Sequence, residues 1–236
     1  GQRAFLIGNG PSLNATPLHL LKDEHTICFN RISLMFERWS WRPTFYTTVD
    51  DRVGPDIADE INGVIVPQSK YAFFPDIHPY DVDFRAFIEP QENVYWLYAD
   101  LLEFSQDLPY CGINKTVSNV GLQILAFLGF TEIYLVGVDN DYQDYRSAEK
   151  LNSRDWTSTD DDDPNHFDPR YFGKQRHDHR PLIEETTLKF QEARGFFEPR
   201  GVRIYNAGVG GKLEVFPRVD FRSLFTADSK TELALL

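Results

Sequence analysis

Residues 3–13 read RAFLIGNGPSL, an apolar run that passes directly into a glycine-flanked turn and a proline. This is the pattern of a buried strand delivering the chain to the mouth of a helix, where an α/β protein receives an anion. Gly8 and Gly10 can take backbone geometries closed to other residues, which would leave their amides free to meet a phosphate. Asn9 adds a side-chain amide at the same point. Pro11 suits a first helical turn, and Ser12 is close enough to cap it. A tight βα turn without a ligand fits the same eleven residues, so the rest of the chain has to decide between the two.

Working outward, 26–29 (TICF) and 45–49 (FYTTV) are further β-rich runs separated by helical patterning, the alternation of a parallel sheet. More strands are expected at 64–67, 94–98, 133–138 and 202–205. The strongest helical segments are 117–130, with Gly129 near its C-terminal end, and 182–197. Together these predict a single Rossmann-like α/β domain over residues 1–226, a mostly parallel sheet with helices on both faces, with 227–236 as a tail. Residues 67–110 turn aromatic and irregular, and 140–181 acidic and histidine-bearing; excursions this long are expected to be active-site loops. For Tyr71, Phe73, Phe74 and Tyr80 core packing is expected, an acceptor platform being the alternative.

The 236 residues include 36 acidic and 24 basic side chains, and the net charge of -12 disfavours nucleic acid as a partner. Two cysteines, Cys28 and Cys111, lie far apart without metal-ligand spacing. They predict neither a disulfide framework nor structural zinc, and they suit a reducing cytoplasm. No apolar run reaches the length of a membrane span, so no transmembrane segment is expected. The opening Gly-Gln suggests a domain drawn from a longer chain that carries other domains.

Loops after the strands of a parallel sheet gather at one edge, so Asn9, Asn30, Arg31, Asp50, Asp51, Asp139 and Asn140 are expected to face one crevice. Asn30 and Arg31 could meet a base edge or phosphate; a surface carboxylate holding Arg31 is the alternative. Asp50, Asp51, Asp139 and Asp141 could act as acid or base, receive ribose hydroxyls or hold a cation, although their spacing fits no compact cation loop. Ser118 and Asn119 open a helix, where they could receive a second anionic group or simply cap it. The segment 160–179, DDDDPNHFDPRYFGKQRHDH, sets His166, His177 and His179 beside Arg170, Tyr171, Lys174 and Arg176. An imidazole can take a hydroxyl proton while cations and tyrosines steady a departing phosphate. The four-aspartate run itself reads as solvated charge. Asn14 and Asn114 each begin a glycosylation sequon, at odds with a cytoplasmic chain.

LIGNGPSL, ICFNR, FYTTVDD, TVSNVGLQILAFLGFTEIYLVGVD, NHFDPRYFGK and GGKLEVFPRVDF occur in that order between residue 3 and about residue 225. This succession resembles the bacterial 6-hydroxymethylpterin diphosphokinase-like proteins, a group that includes motility-associated flagellin glycosyltransferases. It is similar, more distantly, to bacterial sialyltransferases that use CMP-activated sugars. The resemblance implies that Gly8, Asn9, Gly10 and Ser12 lie along the nucleotide phosphate and that Asn30 approaches nucleotide or sugar. It places Ser118 and Asn119 near the cytidine or its phosphate. A histidine shortly before a long helix would be the general base: His179 matches by counting back from 182, His166 by its Asn-His-aromatic context. Tyr142, with Tyr145 or Tyr171, would assist phosphate departure. Thr116-Val117-Ser118 stands where the sialyltransferases have Thr-Ser-Gly, and Thr47 where they have Asn, so the donor sugar need not be sialic acid.

The expected activity is therefore transfer of an ulosonic acid such as Kdo from a CMP donor to a glycan acceptor, with no cofactor. Asp50 or Asp139 as nucleophile would instead allow retention. The rival enzyme, a pterin diphosphokinase, would need magnesium held by Asp50, Asp51 or Asp139, and no Walker lysine follows the first turn. A non-catalytic nucleotide-binding or scaffold module of a polysaccharide-assembly protein is the third reading.

Overall fold

Three strands fall where the sequence sets them: β1 (Gln2–Ile7), β2 (Thr26–Phe29) and β3 (Phe45–Thr47). The computed structural model describes residues 2–100, 103–143, 147–151, 155–174, 177–179 and 181–225. In chain order the further strands are β4 (Tyr71–Pro75), β5 (Ile77–His78), β6 (Val82–Asp83), β7 (Val94–Asp100), β8 (Tyr110–Gly112), β9 (Phe130–Val136), β10 (Ala148–Lys150), β11 (Asp155–Ser158), β12 (His177–His179) and β13 (Arg203–Asn206). Eight of them form one sheet in the order β13-β9-β1-β2-β3-β4-β7-β8, parallel at every pairing. The order runs outward from β1 to β8 and then returns to β9 on the other side of β1. The topological switch point thus lies between the loops that leave β1 and β9.

Period-two alternation in β1 assigns the two faces. Phe5 and Ile7 join Leu13, Leu18, Ile32, Met35, Ile57, Ile61 and Ile65 in one core. Ala4 and Leu6 face the other, with Leu122 and Ile124 of α4 (Val117–Phe127) and Phe190 and Phe197 of α5 (Ile183–Phe197). Both faces of the sheet are therefore covered, as a parallel sheet requires. Among the described residues no helix is long and apolar enough to cross a membrane.

The strand expected at 64–67 is helical. Val53, Ile57, Ile61 and Ile65 are all buried, and this spacing of four carries the chain through α1 (Val53–Asp56), α2 (Ala58–Glu60), a π turn (Ile61–Ile65) and α3 (Val66–Gln68). The missing strand is β4, inside the stretch expected to be irregular: Phe73 and Phe74 are core, Tyr71 is half-buried against it, and Tyr80 is exposed. The same stretch also supplies β5 and β6 and leads into β8, while β7 lies where a strand was expected at 94–98. α4 stops at Phe127, and Gly129 follows with φ of 88°, a left-handed geometry suited to glycine.

At its other end α4 is capped by Thr116, whose Oγ1 accepts from the Ser118 amide at 3.3 Å. Thr116→Ala is expected to cost about 1 kcal/mol in a urea titration. No change would show that the loop before α4, and not the cap, fixes the start of the helix.

Candidate active site

The loop leaving β1 is packed more tightly than a free anion cradle. Gly8 donates its amide to the Val136 carbonyl and Gly10 to that of Gly137, each at 2.8 Å. The amides expected to meet a phosphate are thus engaged by the neighbouring crossover. Neither glycine has a positive φ; small size is what the position demands. A Cβ on Gly8 would fall 2.9 Å from the Gly137 carbonyl carbon, and one on Gly10 2.5 Å from the Asp139 Cγ. The 3-10 turn at Pro11–Ala15 begins with an anion already in place, since Asp139 accepts the Ser12 amide at 2.9 Å and the Ser12 hydroxyl through its second oxygen. Asp139 therefore ties the two loops of the switch point together, and with both oxygens bound it is a clamp. Asp50 also works locally: its Oδ1 accepts from the Arg52 and Val53 amides, both at 2.9 Å, and starts α1.

Arg31 is fixed too. Its guanidinium pairs with Glu60 at 3.1 Å and donates to the carbonyls of Arg170 at 2.6 Å and Tyr171 at 2.8 Å. Its function is to fasten the 163–172 loop to the sheet edge. Asn140 donates to the Thr187 hydroxyl at 2.8 Å, and Asp141 pairs with Lys212 at 2.8 Å. Among the described residues no three His, Cys, Asp or Glu side chains come together as a metal cage. Asp50 and Asp139, with those oxygens taken by N–H and O–H donors, do not fit the magnesium that a diphosphokinase would need.

What the edge does hold is a group of neutral polar atoms that are buried and unpartnered: Asn9 Oδ1, Thr47 Oγ1, both side-chain atoms of Asn114, and Asn119 Oδ1. Buried polar atoms normally find partners, so several orphans at one edge need a cause. Asn9 donates through Nδ2 to the Phe29 carbonyl at 3.3 Å, and Phe29 is the registered neighbour of Thr47. Asn119 donates to the Asn114 carbonyl at 2.9 Å. The first turns of α4 are brought over β1 and β2 by Gly121, where a Cβ would meet the Phe29 ring at 2.6 Å. Gln123, itself fully buried, staples the approach: it accepts from Ser105 and Gly112 and donates to Gly112 and Asn119. Asn114 and Lys115 both have positive φ, 49° and 66°. This turn aims Asn114 inward and leaves it 0% exposed, so it is no glycosylation acceptor. Asn119, expected near a ligand, is in this group, and Ser118, buried beside it on α4, is not; Asn114 was legible only as a sequon, and Thr47 only as a departure from a motif.

Beside these orphans lies the histidine loop. Phe167 donates its amide to the Asn9 carbonyl at 2.9 Å, and Asn14 donates to the Phe167 carbonyl at 2.9 Å. His166 stacks on Tyr171 with centroids 3.9 Å apart and planes within 1°. Phe172 and Tyr142 stand perpendicular to it, with ring centroids 5.1 and 6.2 Å away. Nδ1 lies 2.7 Å from Asp163 Oδ2, and Nε2 makes no hydrogen bond among the described residues. Tyr171 is too deep to touch a phosphate. It is 1% exposed, and burial pushes its hydroxyl pKa well up, with the neighbouring Asn30 side chain and Arg31 amide acting in the opposite direction. Asn30, at φ 48°, also accepts the Thr48 hydroxyl at 2.7 Å. Tyr142, beside the imidazole, is 40% exposed. The side chains of His177 and His179, and all of Tyr145 and Arg176, lie outside the described residues.

No protein-family model and no curated protein matches this chain. Among solved structures, a MAf glycosyltransferase from Magnetospirillum magneticum AMB-1 matches with a TM-score of 0.62 at 18% identity, over 99% of this chain and 36% of that one. The sialyltransferase CstII from Campylobacter jejuni, solved in complex with the substrate analogue CMP-3FNeuAc, matches with a TM-score of 0.51 at 10% identity, over 93% of this chain and 86% of that one. At these identities the likeness establishes a shared fold.

Proposed function

We propose that this chain is a cytoplasmic glycosyltransferase domain, one part of a longer protein. It moves an ulosonic acid, Kdo or a sialic-acid-like sugar, from a CMP donor to a surface-polysaccharide acceptor. The observation that carries this reading is the orphaned set of Asn9, Thr47, Asn114 and Asn119. It offers interleaved donors and acceptors without charge, the complement of a nucleobase edge and sugar hydroxyls. The N-terminal turn of α4 supplies a positive dipole end for the adjoining phosphate. The fold shared with CstII, crystallised with a CMP-sugar analogue, supports the same donor class.

On this reading His166 Nε2 takes the proton of the acceptor hydroxyl as its oxygen bonds to the anomeric carbon. The bond from that carbon to the phosphate oxygen breaks, and its electron pair leaves on CMP. Tyr142 stands on the open side to steady the departing charge. Single displacement of this kind inverts the anomeric centre.

Calorimetric titration with CMP and with ATP, each with magnesium and with EDTA, tests the proposal. Saturable CMP binding that survives EDTA is expected. Magnesium-dependent ATP binding without a CMP signal would favour the diphosphokinase, and silence in both a non-catalytic scaffold module. Thr47→Val sharpens the test. Exchanging an unpartnered buried hydroxyl for a methyl leaves the unliganded fold as stable or more so. The same change should weaken CMP about tenfold, the worth of about one hydrogen bond. Lower stability with unchanged affinity would mean that Thr47 serves the fold alone.

A further inference from the structure

We propose that Asp163 is the positioning residue of this site, holding His166 in the Nδ1–H tautomer and balancing the imidazolium that forms on proton transfer; the role rests on His166 being the base. Asp163 ends a run of four aspartates, yet its environment differs from that of the other three. Asp160, Asp161 and Asp162 are exposed, whereas the Asp163 side chain is wholly buried. Its Oδ1 accepts the Asn165 amide at 2.8 Å. Its Oδ2 accepts the Phe172 amide at 3.2 Å and faces His166 Nδ1 at 2.7 Å. Among the described residues no lysine or arginine bridges it. A buried carboxylate without a cation is costly to keep, and this one is directed at an imidazole.

A carboxylate that already takes two backbone N–H groups offers His166 an acceptor. Nδ1 must then carry the proton, and Nε2 is left with its lone pair. The ring is held in this orientation by the Tyr171 ring stacked on one face and by Phe172 and Tyr142 standing perpendicular to it, so Nδ1 stays turned to Asp163. Tyr171 is itself held by Arg31, whose guanidinium donates to the Tyr171 carbonyl at 2.8 Å, so the chain of fixation runs from the sheet edge through Tyr171 to the imidazole. When the acceptor proton arrives on Nε2 and the donor bond breaks toward CMP, the positive charge created faces the Asp163 carboxylate. This is the logic by which a third group orients a catalytic base.

Ring nitrogen-15 shifts of the uniformly labelled chain decide it, with His166→Gln used to assign the signal. The expected wild-type pattern is a protonated Nδ1 and a bare Nε2. In Asp163→Ala the proton is expected to move largely to Nε2. Turnover with a CMP-sugar should fall about 100-fold at nearly unchanged KM, and retained CMP affinity shows that the fold persists. A wild-type ring protonated at Nε2 overturns the proposal, as does an Asp163→Ala protein with unaltered tautomer and turnover. If that variant does not fold, the wild-type tautomer alone decides. A wild type that turns over no CMP-sugar would defeat the proposed function while leaving the tautomer result to stand by itself.

Discussion

His166→Gln is expected to lower the release of CMP from a CMP-sugar by a factor of about 10²–10⁴, the usual contribution of a general base, with calorimetric affinity for CMP nearly unchanged. The separation of the two effects comes from the layout. The orphaned polar groups that would read the nucleotide belong to the ends of β1 and β3 and the start of α4, whereas the imidazole belongs to the loop docked on Asn9. His166 makes one hydrogen bond, to Asp163, and leaves Nε2 without one, so its replacement removes a proton acceptor without stripping a partner from the donor pocket. His179→Gln should retain turnover within about tenfold, less than the loss of a general base. Loss of turnover in His179→Gln with retention in His166→Gln would transfer the base role to His179 and leave His166 as a packing group.

Gly8→Ala is expected to destabilise the domain by about 3 kcal/mol, at the upper end of overpacking costs. That corresponds to a melting-temperature fall of roughly 6–12 °C for a domain of this size. The added carbon would meet the Gly137 carbonyl, and the Gly8 amide is already bound to the Val136 carbonyl, so the strand ends cannot part without breaking that bond. Gly137 cannot retreat either: its φ is 68°, and a Cβ there would meet Leu13 at 2.5 Å. Gly195→Ala is the control. It lies within α5 with nothing within 4 Å of a Cβ, and it should stabilise by about 0.5–1 kcal/mol. Equal behaviour of the two variants in thermal melts would refute the steric account of the GNG turn.

The first three strands, β9, β13 and both long helices were legible because their patterns are local: short apolar runs ending in polar turns, and an amphipathic period. The 64–67 error came from reading Val64, Ile65 and Val66 for β-propensity when the four-residue spacing from Val53 was the stronger signal. β4 was lost among aromatics, since YAFFP is apolar on both faces and shows no alternation. At the site, the gathering of Asn9, Asn30, Ser118 and Asn119 on one edge was dictated by topology. The division of labour was not. Sequence cannot show that Asp139 binds Ser12, that Arg31 is bound by Glu60, or that one aspartate of four is buried, because each outcome is decided by a partner distant along the chain.

Arg31 has one more effect. The segment bearing His166 is anchored by the Arg31 guanidinium, by Asn14 and by the Asn9 carbonyl, all of which belong to the sheet edge. The loss of chain entropy in arranging that segment is therefore met when the domain folds, and a ligand arriving at Asn9 finds it already in register. Hydrogen exchange at the Phe167 amide should accordingly be slow before any nucleotide is added, and binding should carry the modest heat-capacity change of a preformed site.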